Sequence, residues 1–475
     1  MRKIRHFFLG RLFPCALVFA LLFALTVGLA VYLPRALAPL AALERVFALA
    51  AALLVALSAA DAACKTGQLT LIVLLPWTGA IICLFARRPK LQTKIAPTRG
   101  VFSDTVPDRL GATVSSQCAC KPCFAKNAEY FPTGTDFMPA LIRAISQAKR
   151  FIWLEYYIVS DGKFWNAVKD ALTERARCGV DVRLVYDDFG CALSLPKRYP
   201  RELARQNIQA RVAKRLRPLS PIASNVRDHR KCAIIDGETV FLGGINLADE
   251  YIGELIRYGH WKDTTISLTG APALAFAREY AAHWDMRDKA TMLKLLEQLP
   301  AQNGEIPCIP ALDRGYGAGI IHLANIAKST LYFCTPYLAP DSLTCHALAS
   351  AAEAGVDVRI MIPHIPDKRS VFLLTRRFAR KLIKSGVAVR EYTAGFLHAK
   401  SVTADGEICA VTSHNLDYRS LILQRECGAF LFSRELTGKI ERDFLDLWEA
   451  GSNVPDPKPF ERAVGAILSL FTPIF

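Results

Sequence analysis

DHRKCAIIDGETVFLGGIN, residues 228 to 246, carries His229, Lys231 and Asp236 in the pattern His-x-Lys-x4-Asp. The pattern returns 169 residues later as His398, Lys400 and Asp405 in LHAKSVTADGEICAVTSHN, residues 397 to 415. In each copy six residues separate the aspartate from a residue pair that precedes x-Asn: Gly243-Gly244 before Asn246, and Thr412-Ser413 before Asn415. His, Lys and Asn therefore recur in one order at one interval, over a length that chance does not reproduce.

The residue types suit phosphodiester chemistry. In a strand, alternate side chains share a face, so each imidazole projects with its ammonium into one site. With two copies, one imidazole attacks phosphorus and the other protonates the departing oxygen, while two lysines and two asparagines hold the non-bridging oxygens. That chemistry needs no metal and no cofactor. A lone His-x-Lys would read as an ordinary polar edge; the pairing is what carries the functional reading.

The surroundings repeat too. Gly179-Val-Asp-Val-Arg183 returns as Gly355-Val-Asp-Val-Arg359, and AISQAKRFIWLEYYIV (144 to 159) corresponds to ANIAKSTLYFCTPYL (324 to 338). Each half reads strand, helix, strand, then the histidine strand. The expected fold is α/β: two α/β/α sandwich lobes about a pseudo-twofold, the histidine segments facing each other across it. The domain reading is 1–90 membrane region, 91–130 linker, 131–303 first lobe and 304–475 second lobe.

These residues, with FPTGTDFMPALI, GGINLADEYIG, HWKDTTISLTG, TPYLAP and NLDYRSL, resemble the phospholipase D superfamily, and more closely its bacterial cardiolipin synthase branch. The resemblance implies phosphatidyl transfer between two phosphatidylglycerol molecules through a phosphohistidine, with His229 as nucleophile and His398 as general acid and then base. It also implies that each histidine is oriented by a carboxylate further along its own half, Asp263 in WKDT and Glu426 in LQRECG. The motif aspartates Asp236 and Asp405 read as structural. Thr412-Ser413 and Gln424-Arg425-Glu426 depart from the family's usual Gly-Ser and Asn-Phe-Glu, and the missing glycine is expected to tighten the backbone near the phosphate. Tyr157 and Tyr337 have equal claims to core and site, and Asp417 with Arg419 could equally form a surface ion pair. A hydrolase, a transferase with another headgroup and a membrane-tethered nuclease would use the same residues.

The first 90 residues suit a different solvent. Leu12 to Pro34 is a run of 23 residues without a charge and Thr66 to Ala86 one of 21, each near the ~20 that cross a bilayer. Val46 to Ala60, between Arg45 and Asp61, reads either as a short span or as an interfacial element. Basic residues flank both ends, so two spans satisfy the positive-inside rule. The expected location is the inner (plasma) membrane, multi-pass, with the lobes cytoplasmic. A net charge of +16 implies an acidic partner, and the apolar N-terminus favours anionic lipid over nucleic acid. The basic stretch 367 to 384 and the apolar GAILSLFTPIF at the C-terminus are candidates for surface contact with a bilayer. The cysteines read as reduced, buried small residues; Cys118, Cys120 and Cys123 sit close together but lack partners at a ligand spacing.

Overall fold

The computed structural model describes residues 38–58, 62–85, 106–118, 120–216, 226–284, 286–300 and 304–472, with six isolated positions between 17 and 28. The first lobe contributes β1 (Cys123–Phe131), β2 (Phe151–Tyr156), β3 (Asp181–Asp187), β4 (Gln209–Ala213), β5 (Lys231–Ile235), β6 (Thr239–Gly243), the short β7 (His260–Lys262) and β8 (Thr265–Gly270). The second contributes β9 (Ile306–Leu312), β10 (Thr330–Cys334), β11 (Leu338–Ala339), β12 (Asp357–Pro363), β13 (Ala388–Tyr392), β14 (Gly395–Leu397), β15 (Ser401–Ala404), β16 (Ile408–Thr412), β17 (Leu416–Asp417), β18 (Cys427–Phe432) and β19 (Ser452–Asn453).

The duplication read from the repeats is visible in the strand order. Outward from the centre the first lobe runs β1-β8-β6-β5-β2-β3-β4 and the second β9-β18-β16-β15-β10-β12-β13, with β19 added at the far edge. The pairing senses match: β2–β3 and β3–β4 are parallel and β2–β5 antiparallel, as are β10–β12, β12–β13 and β10–β15. The parallel pairs follow from the crossover helices Lys163–Arg177 and Ser342–Glu353, whose apolar stripes cover the sheet. β1 and β9 pair antiparallel, with Cys123 opposite Cys308, and fuse the halves into one 15-stranded sheet.

Three expectations are corrected. The linker does not reach residue 130: Val106–Ser115 is a helix against β9, and β1 lies between β8 and β9. One face of β1 is solvated, so its polar KNAE sequence mimics a connector although Asn127–Phe131 pair with β8 and Cys123–Ala125 with β9. Among the described residues no helix is long and apolar enough to cross a membrane. Thr66 to Ala86 is divided between helices Ala62–Leu74 and Pro76–Phe85, of 13 and 10 residues. At 1.5 Å per residue these reach only about 20 and 15 Å, against a hydrocarbon core of about 30 Å. Pro76 disfavours helix at the residue before it and suits the first turn of the next. Finally, Val46 to Ala60 is not a separate element: helix Ala38–Ala56 runs through Glu44 and Arg45, both good helix formers. Its Ala51 and Val55 pack with Ile72, Ala80 and Cys83. Leu12 to Pro34 lies almost wholly outside the described residues.

The thirteen described cysteines are free thiols. Cys118 and Cys120 are buried in the core shared by the lobes, and among the described residues no group of three or more His, Cys, Asp or Glu could hold a metal ion.

Candidate active site

Each histidine motif enters the site from just before a central strand and ends in a tight hairpin at the far end of it. There Asp236 and Asp405 take φ of 55° and 53° and are each followed by a glycine at 68°, the left-handed pair that such turns require. Asp236 accepts the backbone N–H groups of Lys149, Arg150 and Phe151 at 2.7–2.8 Å. Asp405 accepts those of Lys328, Ser329 and Thr330. Burial alone would raise the Asp405 carboxyl, and the backbone donors bring it below its usual range. Both aspartates therefore tie the histidine hairpin to the start of the neighbouring strand, β2 or β10, as structural residues.

At the site end the lobes exchange backbone. Asp228 forms a parallel bridge with Arg425, and His229 N–H donates to the Arg425 carbonyl at 2.8 Å. Symmetrically, β14 pairs in parallel with β7, and His398 N–H donates to the Lys262 carbonyl at 2.7 Å. Gly395 is required there, since a β-carbon would come within 2.1 Å of the His260 carbonyl.

This exchange corrects the carboxylate assignment. Glu426 and Asp263 each follow the segment that pairs with the other lobe's motif, so the orienting carboxylates cross over. His229 Nδ1 lies 2.9 Å from both Glu426 oxygens, and His398 Nδ1 lies 2.5 Å from Asp263 Oδ2. Both carboxylates are fully buried. A carboxylate on Nδ1 fixes the tautomer and leaves Nε2 with its lone pair towards the site.

The two dyads are not equivalent. Ser413 and Ser420 donate to Glu426 at 2.5 and 2.6 Å. At the position matching Ser413 the first lobe has Gly244, where a β-carbon would fall 2.1 Å from Asp263 Oδ1. Ser420 sits in a π-helical turn, Arg419–Leu423, held by Asp417, which accepts its N–H. Asp417 is thus buried and structural, not half of a surface ion pair.

The other departure from the family pattern is compensated. Gly243 pairs with Thr265, whereas Thr412 pairs with Gly428. Glycine and threonine have exchanged strands, so the volume is conserved, and Thr412 fills the space over Gly428.

Lys231 and Lys400 are buried, and each donates to the carbonyl of its own motif histidine. Burial pushes Lys231 down to about 7 and Lys400 to about 8, each opposed by Glu426 and Asp263. Burial and then the Lys400 ammonium push His398 down to about 4, against the pull of Asp263. His229 is held well below its usual range by burial, then by Lys231, Lys400 and His398. Burial and the neighbouring ammonium groups thus favour the neutral form of both imidazoles. Burial raises Glu426, against Lys231 and the two serine hydroxyls; the ring of donors around it is the environment of an ionised carboxylate.

Tyr157 stands edge-on to His229 with ring centres 4.7 Å apart, which settles its place in the site. Tyr337 instead donates to Asp367. Asn246 spends its amide on Ile158 N–H and the Tyr251 hydroxyl, so it braces the wall. The Asn415 side-chain oxygen is buried and has no hydrogen-bond partner among the described residues.

Sequence reading missed Ser413 and Ser420, the aromatic wall of Tyr251, Trp261 and Phe396 around His398, and Arg230. Arg230 points away from its neighbours in the motif and binds Asp313, Glu279 and the Glu426 carbonyl, clamping the lobes. Alternation within His-x-Lys would have placed Arg230 opposite the site, and the repeat would have aligned Ser413 with Gly244. No spacing marks Tyr251 or Trp261.

The chain matches the family described as cardiolipin synthase, phospholipase D-like domain, over residues 141–255 and 320–448. It is 34% identical over 357 residues to a Bacillus anthracis protein named cardiolipin synthase 2, covering 73% of this chain and 68% of that one. It is 32% identical over 329 residues to a cardiolipin synthase of Listeria monocytogenes serotype 4b, covering 67% and 68%. Among solved structures, a phosphatidylserine synthase of Haemophilus influenzae matches with a TM-score of 0.56 at 17% identity, over 74% of this chain and 97% of that chain. At that identity the likeness is one of fold.

Proposed function

Because the chain belongs to the cardiolipin synthase family of phospholipase D-like proteins, we propose that it transfers a phosphatidyl group between two phosphatidylglycerol molecules, giving cardiolipin and glycerol. Family membership makes it a phosphatidyltransferase of phospholipase D type. The observation that carries the finer reading is the crossed pair of buried dyads, His229–Glu426 and His398–Asp263, with a buried lysine beside each histidine.

His229 Nε2 attacks phosphorus while the bond to the departing glycerol oxygen breaks, and His398 gives that oxygen its proton. The phosphate anion of the substrate offsets the two ammonium groups and lets His398 carry a proton. A headgroup hydroxyl of the second lipid then loses its proton to His398 and attacks phosphorus as the P–N bond breaks. Lys231 and Lys400 hold the non-bridging oxygens in both steps. Both histidines are more than nine-tenths buried, and a dry site favours an alcohol acceptor presented by lipid over water. The lipid substrates put the reaction at the inner membrane, with the lobes on the cytoplasmic side.

The test is incubation of the reconstituted chain with phosphatidylglycerol alone, beside His229→Ala. Cardiolipin and glycerol in equal amounts, absent from the variant, support the reading. Phosphatidic acid as the main product would make the chain a hydrolase.

A further inference from the structure

The helix Pro459–Ser469 is docked with its apolar stripe facing away from the protein. Its inward position is Gly465, where a β-carbon would lie 3.6 Å from Cδ of Arg377 in the helix Arg369–Ile383. At about 100° per residue, Phe460, Ala463, Ile467 and the capping Leu470 fall within roughly 80° of arc opposite Gly465. Phe460 is 74% exposed, Ile467 60% and Leu470 41%. An amphipathic helix packed for its own stability would turn these side chains inward.

The surroundings identify the partner. Exposed cations lie on the side of the helix away from the stripe, Lys458 and Arg462 on the helix itself and Arg377 and Lys381 on the helix beneath, at the depth of headgroups when the stripe reaches the acyl boundary. The stripe also continues into the N-terminal apolar helices. The Leu470 carbonyl lies 3.2 Å from where a β-carbon on Gly67 would sit, and the helices around Gly67 expose Leu49, Leu53 and Val73. A second copy, itself of net charge +16, would bring like charges together at this surface. Anionic headgroups complement the cations, and the acyl boundary accepts the stripe.

We infer that the helix Pro459–Ser469 is an interfacial anchor that lays Phe460, Ile467 and Leu470 into an anionic bilayer while the basic helix Arg369–Ile383 faces the headgroups. The surface stands on its own, whatever the phosphatidyl acceptor at the active site.

Attachment through the N-terminus would mask loss of this contact in a binding assay, so the readout must be local. In the full chain, a benzophenone amino acid replacing Phe460 is photoactivated in vesicles of phosphatidylglycerol and phosphatidylcholine. A lipid adduct on the 458–470 peptide is expected. An adduct joining two protein chains, or no adduct, overturns the inference. In parallel, Phe460→Ser with Ile467→Ser should lower turnover about tenfold in those vesicles and leave turnover in detergent micelles within about twofold. Equal turnover in vesicles would overturn it, and the micelle arm reports whether the variant is folded.

Discussion

Replacing Glu426 with Gln tests the crossed dyads through their chemistry. Glu426 accepts from three directions, the Ser413 and Ser420 hydroxyls and His229 Nδ1. An amide keeps one acceptor oxygen and adds two donors. Its NH₂ must then face a hydroxyl or Nδ1, and the latter forces the proton onto Nε2 and removes the attacking lone pair. Losing a charge-assisted bond costs about 1.5–3 kcal/mol and stranding a buried donor about 1–3 more. The sum, about 2.5–6 kcal/mol, is roughly a hundred- to ten-thousandfold in the first step. The assay uses a phosphatidyl donor with a p-nitrophenol leaving group, which departs without a general acid. Release of p-nitrophenol in the first turnover then reports attack by the nucleophile alone. His229→Ala and Glu426→Gln should lose the burst, although Glu426 lies in the other lobe. His398→Ala and Asp263→Asn should keep it while losing turnover of phosphatidylglycerol. A burst that survives Glu426→Gln and disappears in Asp263→Asn would refute the assignment of roles.

With the same activated donor, kcat/KM should fall as pH rises through about 7 to 8, because Lys231 and Lys400 lose their protons there in the free enzyme. Lys231→Arg, charged throughout, should move that limb upward; a limb unmoved by the change would assign it to another group. Gly244→Ala places a β-carbon 2.1 Å from Asp263 Oδ1 and should displace Asp263 from His398. Phosphatidylglycerol turnover should then drop about a hundredfold with the p-nitrophenol burst retained, and near-normal turnover would contradict the close fit. Asp236→Ala removes the acceptor of three backbone N–H groups and should destabilise the first lobe by about 2–4 kcal/mol, seen as an earlier unfolding transition. The folded fraction should keep its kcat at low temperature, and loss of kcat without loss of stability would make Asp236 catalytic.

What the sequence made legible was what it states twice. The paired motifs placed the site, and the repeated GVDVR strands and Ala-Lys helix ends gave two βαβ halves that the sheet reproduces strand for strand. Duplication says nothing about which lobe a side chain serves. The crossing of Glu426 and Asp263 arises from backbone pairing between segments far apart in sequence, β7 with β14 and Asp228 with Arg425. The threonine–glycine exchange at Thr412 and Gly428 hides for the same reason: each residue alone looks like a defect, and only the strand register shows the pair. β1 was hidden by polarity, since a strand solvated on one face reads like a linker. Hydropathy marked the N-terminal residues as apolar and could not foresee that Pro76 divides the second run into two short helices.

The most direct test of covalent transfer is exchange of deuterated free glycerol into phosphatidylglycerol by the reconstituted chain. A phosphatidyl–His229 intermediate partitions back to glycerol as well as forward to lipid, so labelled phosphatidylglycerol should accumulate alongside cardiolipin and be absent with His229→Ala. Cardiolipin formation without incorporation of label, at glycerol concentrations that slow the net reaction, would contradict the two-step account and require direct displacement between the lipids.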